Sequence, residues 1–315
     1  ITEPPELRRS DGASVYTVAG NRLYTSQRII DAERRLVDHA GRTDGRTVPD
    51  AGVDLALLQT AANGVELNAG QALLVRDMAG SGARLQLAIA PAGSGKTTAM
   101  QALARAWTIG GGTVIGLAPS AVAAAGLGEQ IGSTADTIAK LAWHLDHGGA
   151  PRWVNQIGPK TLVIIDEAGM ADTLSLDAVV SHVTTAGGSV RLIGDDQQLA
   201  AIGAGGVLRD IEASHGALRL SELVRFTDPA EGSASLALRE GKPEALGFYL
   251  DRDRVRVGNQ ETMADQLFTA WAADRETGRD SVMLAPTKEL VAELNQRART
   301  HRLHGAAPEA VVELA

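Results

Sequence analysis

A short segment, APAGSGKTT at residues 90–98, has the residue types that bind phosphate groups. Its glycines let the backbone curl so that several N–H groups point at anionic oxygens, and Lys96 adds a positive charge for the β- and γ-phosphates. The Thr97 hydroxyl is suited to holding Mg²⁺. Position 90, where such loops usually begin with glycine, is alanine, and we expect Ala90 to end a strand without needing a positive φ. The segment therefore predicts a Walker A loop that binds nucleotide through Gly93, Ser94, Gly95, Lys96, Thr97 and Thr98.

Two adjacent carboxylates, Asp166 and Glu167, follow a second apolar run in the segment LVIIDEAGM at residues 162–170. In a nucleotide site Asp166 binds Mg²⁺ through water, and Glu167 orients or deprotonates the attacking water. An isolated Asp-Glu pair after a strand is also a routine helix N-cap. Its position downstream of a phosphate-binding loop favours the metal-and-base interpretation, which is a Walker B element.

A third polar segment, RLIGDDQQLAAIGAGG at residues 191–206, again ends an apolar run. Gln198 is a candidate to bond the γ-phosphate and to report its loss to a neighbouring surface. A polar loop with a helix cap at Asp195 or Asp196 explains the same residues, and both interpretations stay open.

These polar segments alternate with apolar strand patterns and helical patterns, which predicts the elements that position them. Strands that are apolar throughout are typical of a parallel sheet covered on both faces, so we expect a doubly wound α/β P-loop domain over residues 67–228. Residues 1–66 are predicted as a small helical subdomain. The predicted strands are 84–90, 112–118, 161–166 and 189–194; the predicted helices are 25–40 (capped by Thr25 or Ser26), 97–107, 120–130 and 174–188; and 41–52 is predicted as a loop.

The remaining residues, 229–315, are predicted as a linker and the start of a second α/β domain. Residues 229–280 are charged and largely helical, with a short strand-like stretch at 255–258. A buried strand at 281–286 and a helix at 287–301 then form an opening βα unit. We expect the chain to end before this domain is complete.

Composition excludes several classes of protein. The 315 residues carry a formal net charge of −8, so a protein that coats duplex DNA by charge alone is excluded. There are no cysteines and no apolar run long enough to span a membrane, which predicts a cytoplasmic protein and, we expect, a monomer. The first residue is Ile, so we expect a fragment or a processed chain. The seven histidines form no metal cluster, and the four tryptophans are predicted as core or interface residues.

In this order and spacing, APAGSGKTT, LAPS, IIDEAGM and GDDQQLAAIGAGG resemble motifs I, Ia, II and III of superfamily 1 helicases, and most closely their RecD-like branch. The segments DEAGM and GDDQQL, with the preceding YTSQRIIDAERRLV, are similar to the helicase part of MobF-class conjugative relaxases of the TraA/TraI type. The resemblance covers residues 20–300 and implies a RecA-like ATPase domain, with ATP and Mg²⁺ as cofactors.

The resemblance also implies roles for single residues. It gives Gln71 a hydrogen bond to adenine, although a surface glutamine before a helix is an alternative. It makes Arg225 an arginine finger at the γ-phosphate. Single-stranded DNA contacts are implied for Pro119, Ser120, Thr134, Thr137, Pro286 and Thr287; plain helix capping explains the two threonines at 134 and 137 equally well.

The activity that the resemblance implies is ATP-driven movement along single-stranded DNA in the 5′ to 3′ direction, with the conjugation machinery as the partner of the whole protein. The arginine that the family's complete second domain supplies is not found, so we expect no unwinding by this chain alone. A stand-alone RecD-like repair helicase is one alternative. A nucleotide-binding switch or assembly module without motor activity is another.

Overall fold

The computed structural model describes residues 25–195 and 206–303. The chain divides into two compact units, Ile1–Asp228 (unit 1) and Pro229–Ala315 (unit 2). The finer separation of residues 1–66 from 67–228 stays a prediction.

Unit 1 contains six described strands and eight described α-helices. The strands are β1 (Leu85–Ile89), β2 (Thr113–Ala118), β3 (Ala135–Thr137), β4 (Thr161–Ile165), β5 (Ser189–Gly194) and β6 (Leu218–Arg219). The helices are α1 (Gln27–Ala40), α2 (Asp50–Ala62), α3 (Ala69–Gly80), α4 (Lys96–Ile109), α5 (Ala121–Ile131), α6 (Ile138–His147), α7 (Thr173–Thr185) and α8 (Val207–His215).

The six strands form one parallel sheet in the order β3-β2-β4-β5-β1-β6. Because every strand runs the same way, the carboxyl ends of all six meet at one edge. The loop after β1 and the loop after β4 are separated there by β5 alone. The fold is the predicted doubly wound α/β P-loop architecture of the RecA-like kind.

Alternate residues of the strands supply two hydrophobic cores, one on each face of the sheet. On β4, Leu162 and Ile164 enter the core that α2, α3, α4 and α5 cover, whereas Val163 and Ile165 enter the core beneath α1, α6 and α7. All five residues of β4 are buried. Burial on both faces explains why the strands are apolar without alternation.

One buried charge departs from this pattern. Arg191 on β5 is 0% exposed, and its guanidinium donates to the carbonyls of Met78 (2.7 Å), Ala83 (2.9 Å) and Val190 (2.9 Å). Burial lowers the pKa of Arg191 to about 9. The bond to Met78 satisfies a carbonyl in the last turn of α3, where the helix leaves acceptors without helical partners. Arg191 therefore fastens α3 to the central strand.

The predicted strands of unit 1 are confirmed, as are its helices. Ser26 rather than Thr25 caps α1, since the Ser26 hydroxyl accepts from the N–H of Ile29. The predicted loop at 41–52 ends early, because α2 begins at Asp50, directly after Pro49. Proline at the start of a helix and an acidic first turn both favour that boundary. The fully buried Trp107 is a core residue as expected, but Trp143 is 54% exposed.

Unit 2 contains α9 (Pro229–Arg239), α10 (Ala245–Leu250), α11 (Gln260–Glu276) and α12 (Lys288–Leu303). The strands expected at 255–258 and 281–286 are wrong, since neither stretch is a strand and Val257, Val282 and Leu284 are 89%, 79% and 84% exposed. A strand needs a neighbour to take its backbone hydrogen bonds, and residues 229–303 offer none. The helix expected at 287–301 is confirmed as α12.

In the described parts of the chain, no helix combines the length and apolar character that crossing a bilayer requires.

A matched pair of glycines tests how closely α5 lies on the sheet. A Cβ at Gly116, on β2, would meet Leu127 Cδ2 at 2.9 Å and Ile131 Cδ1 at 3.0 Å, whereas a Cβ at Gly126, on α5, meets nothing within 4 Å. We expect Gly116→Ala to lower the free energy of unfolding by about 1–3 kcal/mol through overpacking. Gly126→Ala should raise it by about 0.5–1 kcal/mol, because alanine favours the helix. Urea denaturation of both variants checks this, and equal effects would contradict the close approach.

Candidate nucleotide-binding site

The phosphate-binding loop leaves the carboxyl end of β1 and opens α4. Ala90 is buried, and its N–H donates to the carbonyl of Gly194 at the end of β5 (2.8 Å). Its φ is not positive, as expected for the residue that replaces glycine. Gly93 (φ +87°) and Gly95 (φ +76°) take the left-handed backbone that the loop requires, and Lys96 is the first residue of α4.

A second segment, which follows β6, closes over this loop. The N–H groups of Val224 (2.8 Å) and Arg225 (3.1 Å) both donate to the carbonyl of Gly93. A Cβ at Gly93 would lie 2.9 Å from the Cβ of Arg225, so glycine is needed for this approach. The backbone contacts bring Arg225 beside the loop, and its role as an arginine finger stays a prediction.

Gln71 supports the loop from the side of α3. Its side-chain amide donates to the carbonyls of Ser94 (3.1 Å) and Gly95 (3.3 Å). Its amide oxygen accepts from the N–H of Asn68 (2.9 Å), and the Asn68 side chain accepts from the N–H of Gln71 (2.8 Å). This reciprocal pair is a capping box, and Gln71 is 3% exposed. The adenine contact of Gln71 stays a prediction, and the structure adds a role in bracing the loop.

The positive charge of Lys96 connects the phosphate-binding loop to the two carboxylates that follow β4. Its ammonium group pairs with Asp166 Oδ1 at 3.0 Å and donates to Glu167 Oε1. Burial alone would lower the pKa of Lys96, but the charge of Asp166 and the hydrogen bonds to Glu167 and Asp166 outweigh it and raise the pKa. The lysine is therefore fully charged near neutral pH and compensates two carboxylates at once.

The backbone at Glu167 is strained. Its φ of +52° and ψ of 37° lie in the left-handed region, which costs a residue with a side chain about 1–3 kcal/mol. The N–H of Glu167 donates to Asp166 Oδ1 (2.9 Å), which stabilises this turn. The turn directs the Glu167 side chain toward Lys96. Strain of this kind is concentrated at functional sites.

These groups share one open cavity of about 390 Å³ at the carboxyl edge of the sheet. It is lined by Ala92, Gly93, Gly95, Lys96, Thr97, Glu167, Val224 and Arg225. The cavity is large enough for a phosphate chain and opens to solvent. Sequence motifs that are far apart in the chain thus lie side by side.

The residues present suit a nucleoside triphosphate and Mg²⁺. The buried Ser94 hydroxyl oxygen has no partner within the described residues, so the loop holds an unused polar group. Thr97 lines the cavity, and Asp166 lies within reach of Lys96. No cluster of three or more His, Asp or Glu side chains lies in the described ranges. Mg²⁺ keeps several waters and needs only one or two carboxylates, so the Asp166 carboxylate and the Thr97 hydroxyl suit it.

Three of the residues expected to contact DNA in unit 1 lie at the carboxyl edge of the sheet, namely Pro119, Ser120 and Thr137, whereas Thr134 lies at the amino end of β3. Ser120 caps α5, and Thr137 caps α6 by accepting from the N–H of Lys140 (3.2 Å). Thr134 is exposed, and its carbonyl accepts from the N–H of Gly116. Pro119 follows β2 directly. Capping is thus shown for Ser120 and Thr137, and their DNA contacts stay predictions.

Gln198 lies outside the described residues, so its γ-phosphate contact stays a prediction. Pro286 and Thr287 belong to unit 2, where the Thr287 hydroxyl accepts from the N–H of Leu290 at the start of α12 (3.3 Å).

Sequence reasoning missed Asn68 and Val224. The Asn68–Gln71 spacing is the signature of a capping box and would have placed a helix start there. Nothing in the sequence marks Val224, because its role depends on a backbone hydrogen bond across the fold.

Comparisons with known proteins show the family of the chain. The model of the family described as AAA domain matches residues 66–260, more than half of the chain. The chain belongs to the AAA domain family. This AAA domain chain is 30% identical to the probable conjugal transfer protein TraA of Sinorhizobium fredii, over 95% of this chain and 27% of that protein. The conjugal transfer protein TraA of Agrobacterium fabrum is 32% identical over 69% of this chain and 20% of its own length.

The predicted resemblance to TraA-type proteins is thereby confirmed. The AAA domain chain spans about a quarter of the length of these curated relatives. Among solved structures, the Pif1 helicase from Candida albicans matches with a TM-score of 0.45 and 13% identity, over 77% of this chain and 61% of that chain. The fold assignment therefore rests on the sheet described above.

Removing the brace tests the role of Gln71. We expect Gln71→Ala to weaken the affinity for ATP and GTP alike by about tenfold, because two hydrogen bonds to the loop are lost. Asn68→Ala, which breaks the capping box but leaves those two bonds, should have a smaller effect. Calorimetric titration with both nucleotides measures this. A loss confined to ATP would instead show that Gln71 acts on the base.

Proposed function

We propose that this chain is an ATP-hydrolysing motor module that moves along single-stranded DNA within a protein of conjugal transfer. The observation that carries the proposal is the convergence of the glycine loop, Lys96, Glu167 and Arg225 on one cavity. A binding module would need the loop alone. A cation and a carboxylate beside it equip the site for hydrolysis.

In the proposed reaction, the loop and Lys96 hold the phosphate chain of ATP. Thr97 would hold Mg²⁺ directly and Asp166 would hold it through water. The bound ion would neutralise part of the phosphate charge. Glu167 orients the attacking water and accepts its proton, and Arg225 stabilises charge at the γ-phosphate. Lys96 exchanges its carboxylate partners for phosphate oxygens, which releases Glu167 for this task.

The DNA and conjugation parts of the proposal have separate support. The curated relatives are named conjugal transfer proteins, which favours this setting over a stand-alone repair helicase. Candidate DNA contacts in unit 1 are Pro119, Ser120 and Thr137 at the carboxyl edge and Thr134 just before β3. Those in unit 2 are Pro286 and Thr287. Four further points stay predictions. Translocation assays would check the 5′ to 3′ direction, and the turnover of Gln198→Ala would check the contact of Gln198. Sedimentation would check the monomeric state, and cell fractionation the cytoplasmic location.

Two substitutions separate nucleotide binding from hydrolysis. Lys96→Ala should abolish ATP binding or turnover, because it removes the cation and leaves two carboxylates facing the phosphates. Glu167→Gln should keep ATP binding and slow hydrolysis by about 10²–10⁴-fold, the range for loss of a general base. Calorimetry and phosphate release measure the two effects, with Lys242→Ala in unit 2 as a surface-lysine control. Normal turnover in Glu167→Gln would remove Glu167 from the mechanism.

Binding to single-stranded DNA should be weak, salt-sensitive and almost independent of sequence. The net charge of −8 opposes general attraction, so few phosphate contacts are expected. Each contact adds about 0.7 to the slope of log affinity against log salt for single strands. Fluorescence anisotropy over a salt series gives this slope. Tight binding that salt does not alter, or a preference for duplex, would contradict the translocase interpretation.

The 315-residue chain should hydrolyse ATP without displacing strands. Its first ATPase unit carries the catalytic groups, whereas residues 229–303 form helices and no strand, so a second sheet that closes on ATP is lacking in the described part. We expect slow hydrolysis with weak stimulation by DNA, and no duplex separation. Strand-displacement and ATPase assays should compare this chain with a longer polypeptide that continues beyond residue 315. Equal strand displacement by the two polypeptides would refute the need for a second closing domain. ATP turnover by the longer polypeptide that does not depend on DNA would favour a nucleotide-binding switch.

A further inference from the structure

An exposed aromatic side chain lies on the helix that begins at the candidate DNA edge. Trp143 is on α6 and is 54% exposed, whereas Ile138 and Leu141 of the same helix are buried in the core. Trp143 is the exposed member of the four tryptophans, since Trp107 is buried and Trp153 and Trp271 are half-buried. Thr137, at the end of β3, starts this helix. Trp143 comes six positions after Thr137, which corresponds to about 9 Å along the helix axis.

The ring of Trp143 is held in a fixed orientation. His147 stacks on it with ring centroids 4.7 Å apart and an interplanar angle of 10°, and His144 meets its edge at 5.1 Å and 79°. His147 is fixed in turn, because its Nδ1 lies 2.9 Å from the carbonyl oxygen of Trp143. A ring that is already ordered loses little entropy when another flat ring stacks on it.

The charges around the ring do not favour a phosphate. Lys140, one turn before Trp143, pairs with Asp136 at 2.7 Å, and Asp146 is exposed on the same helix. A strand that passes this helix therefore gains little from its backbone charge. A base has a neutral π face, and stacking on an aromatic side chain is available to every base.

We propose that Trp143, ordered by His147, is a stacking platform for an unpaired base of single-stranded DNA. The inference rests on the proposed function, since it names a further contact of the same DNA surface. It places that contact beyond Thr137, along α6, and makes it independent of charge.

The test uses the whole 315-residue chain and two labelled oligonucleotides of equal length, one of thymidylate and one of abasic sites. Trp143→Leu removes the π face but keeps an apolar side chain. We expect it to weaken binding to the thymidylate strand by about 5- to 150-fold, the range for one stacked base, and to leave binding to the abasic strand unchanged. Trp143→Phe should restore part of the loss. Leu58→Ala, which changes another exposed apolar residue (68% exposed), should have no effect.

Salt dependence provides a readout that a structural role would not reproduce. Between about 50 and 200 mM salt, the slope of log affinity against log salt should be the same for Trp143→Leu and the parent, because stacking releases no counterions. An unaltered affinity of Trp143→Leu for thymidylate overturns the inference while the proposed function stands. An equal loss on both strands also overturns it, since the contact then does not involve a base. A parent chain that binds neither strand overturns the proposed function and this inference together.

Discussion

The ion pair of Lys96 with Asp166 and Glu167 is the interaction on which the site depends, and it requires the whole sheet to be in register. Lys96 follows β1 and the carboxylates follow β4, with β5 between them. Neighbouring strands lie about 4.8 Å apart, so the two loops start about 10 Å from one another, a gap that two facing side chains can close. A slip of one residue in either pairing would turn these side chains to the other face. The dry cores on both faces keep that register, and so the apolar strands position the charged site.

The same edge also fixes the backbone of the phosphate-binding loop. Three elements contact its backbone: Gly194 at the end of β5, Gln71 on α3, and the segment of Val224 and Arg225 after β6. Such bracing means that little conformational entropy is lost when phosphate oxygens bind. Gln71 also links the loop to α3. At the other end of α3, Arg191 of β5 bonds to the carbonyl of Met78 and so connects this helix to the centre of the sheet. A loop held in this way presents Lys96 at a defined place, with Arg225 bonded through its backbone N–H to the carbonyl of Gly93.

The sequence was sufficient to predict which groups lie together at the site, because their placement follows from residue type and chain position. A glycine loop between a strand and a helix, and two acids after a later strand, must meet at one edge of a parallel sheet. The second role of Gln71 and the contact of Val224 were not predictable, because each depends on a backbone carbonyl from a distant segment. The strands expected at 255–258 and 281–286 failed for a related reason. Local apolar patterns indicate a strand, but a strand forms only where a neighbour takes its hydrogen bonds, and residues 229–303 supply no such neighbour.

The acidic balance of the chain constrains how it can hold DNA. With a net charge of −8, the chain as a whole does not attract a phosphate backbone, so under the proposed function we expect its DNA contacts to come from short-range groups at one edge. The caps at Ser120 and Thr137 mark two helix N-termini at that edge, where positive partial charge is local and decays within a turn. Beyond that turn, α6 offers the ring pair of Trp143 and His147 instead of charge. Weak local contacts of these two kinds would suit a protein that must release each nucleotide in order to move, because every contact can be broken without leaving a buried charge unpaired.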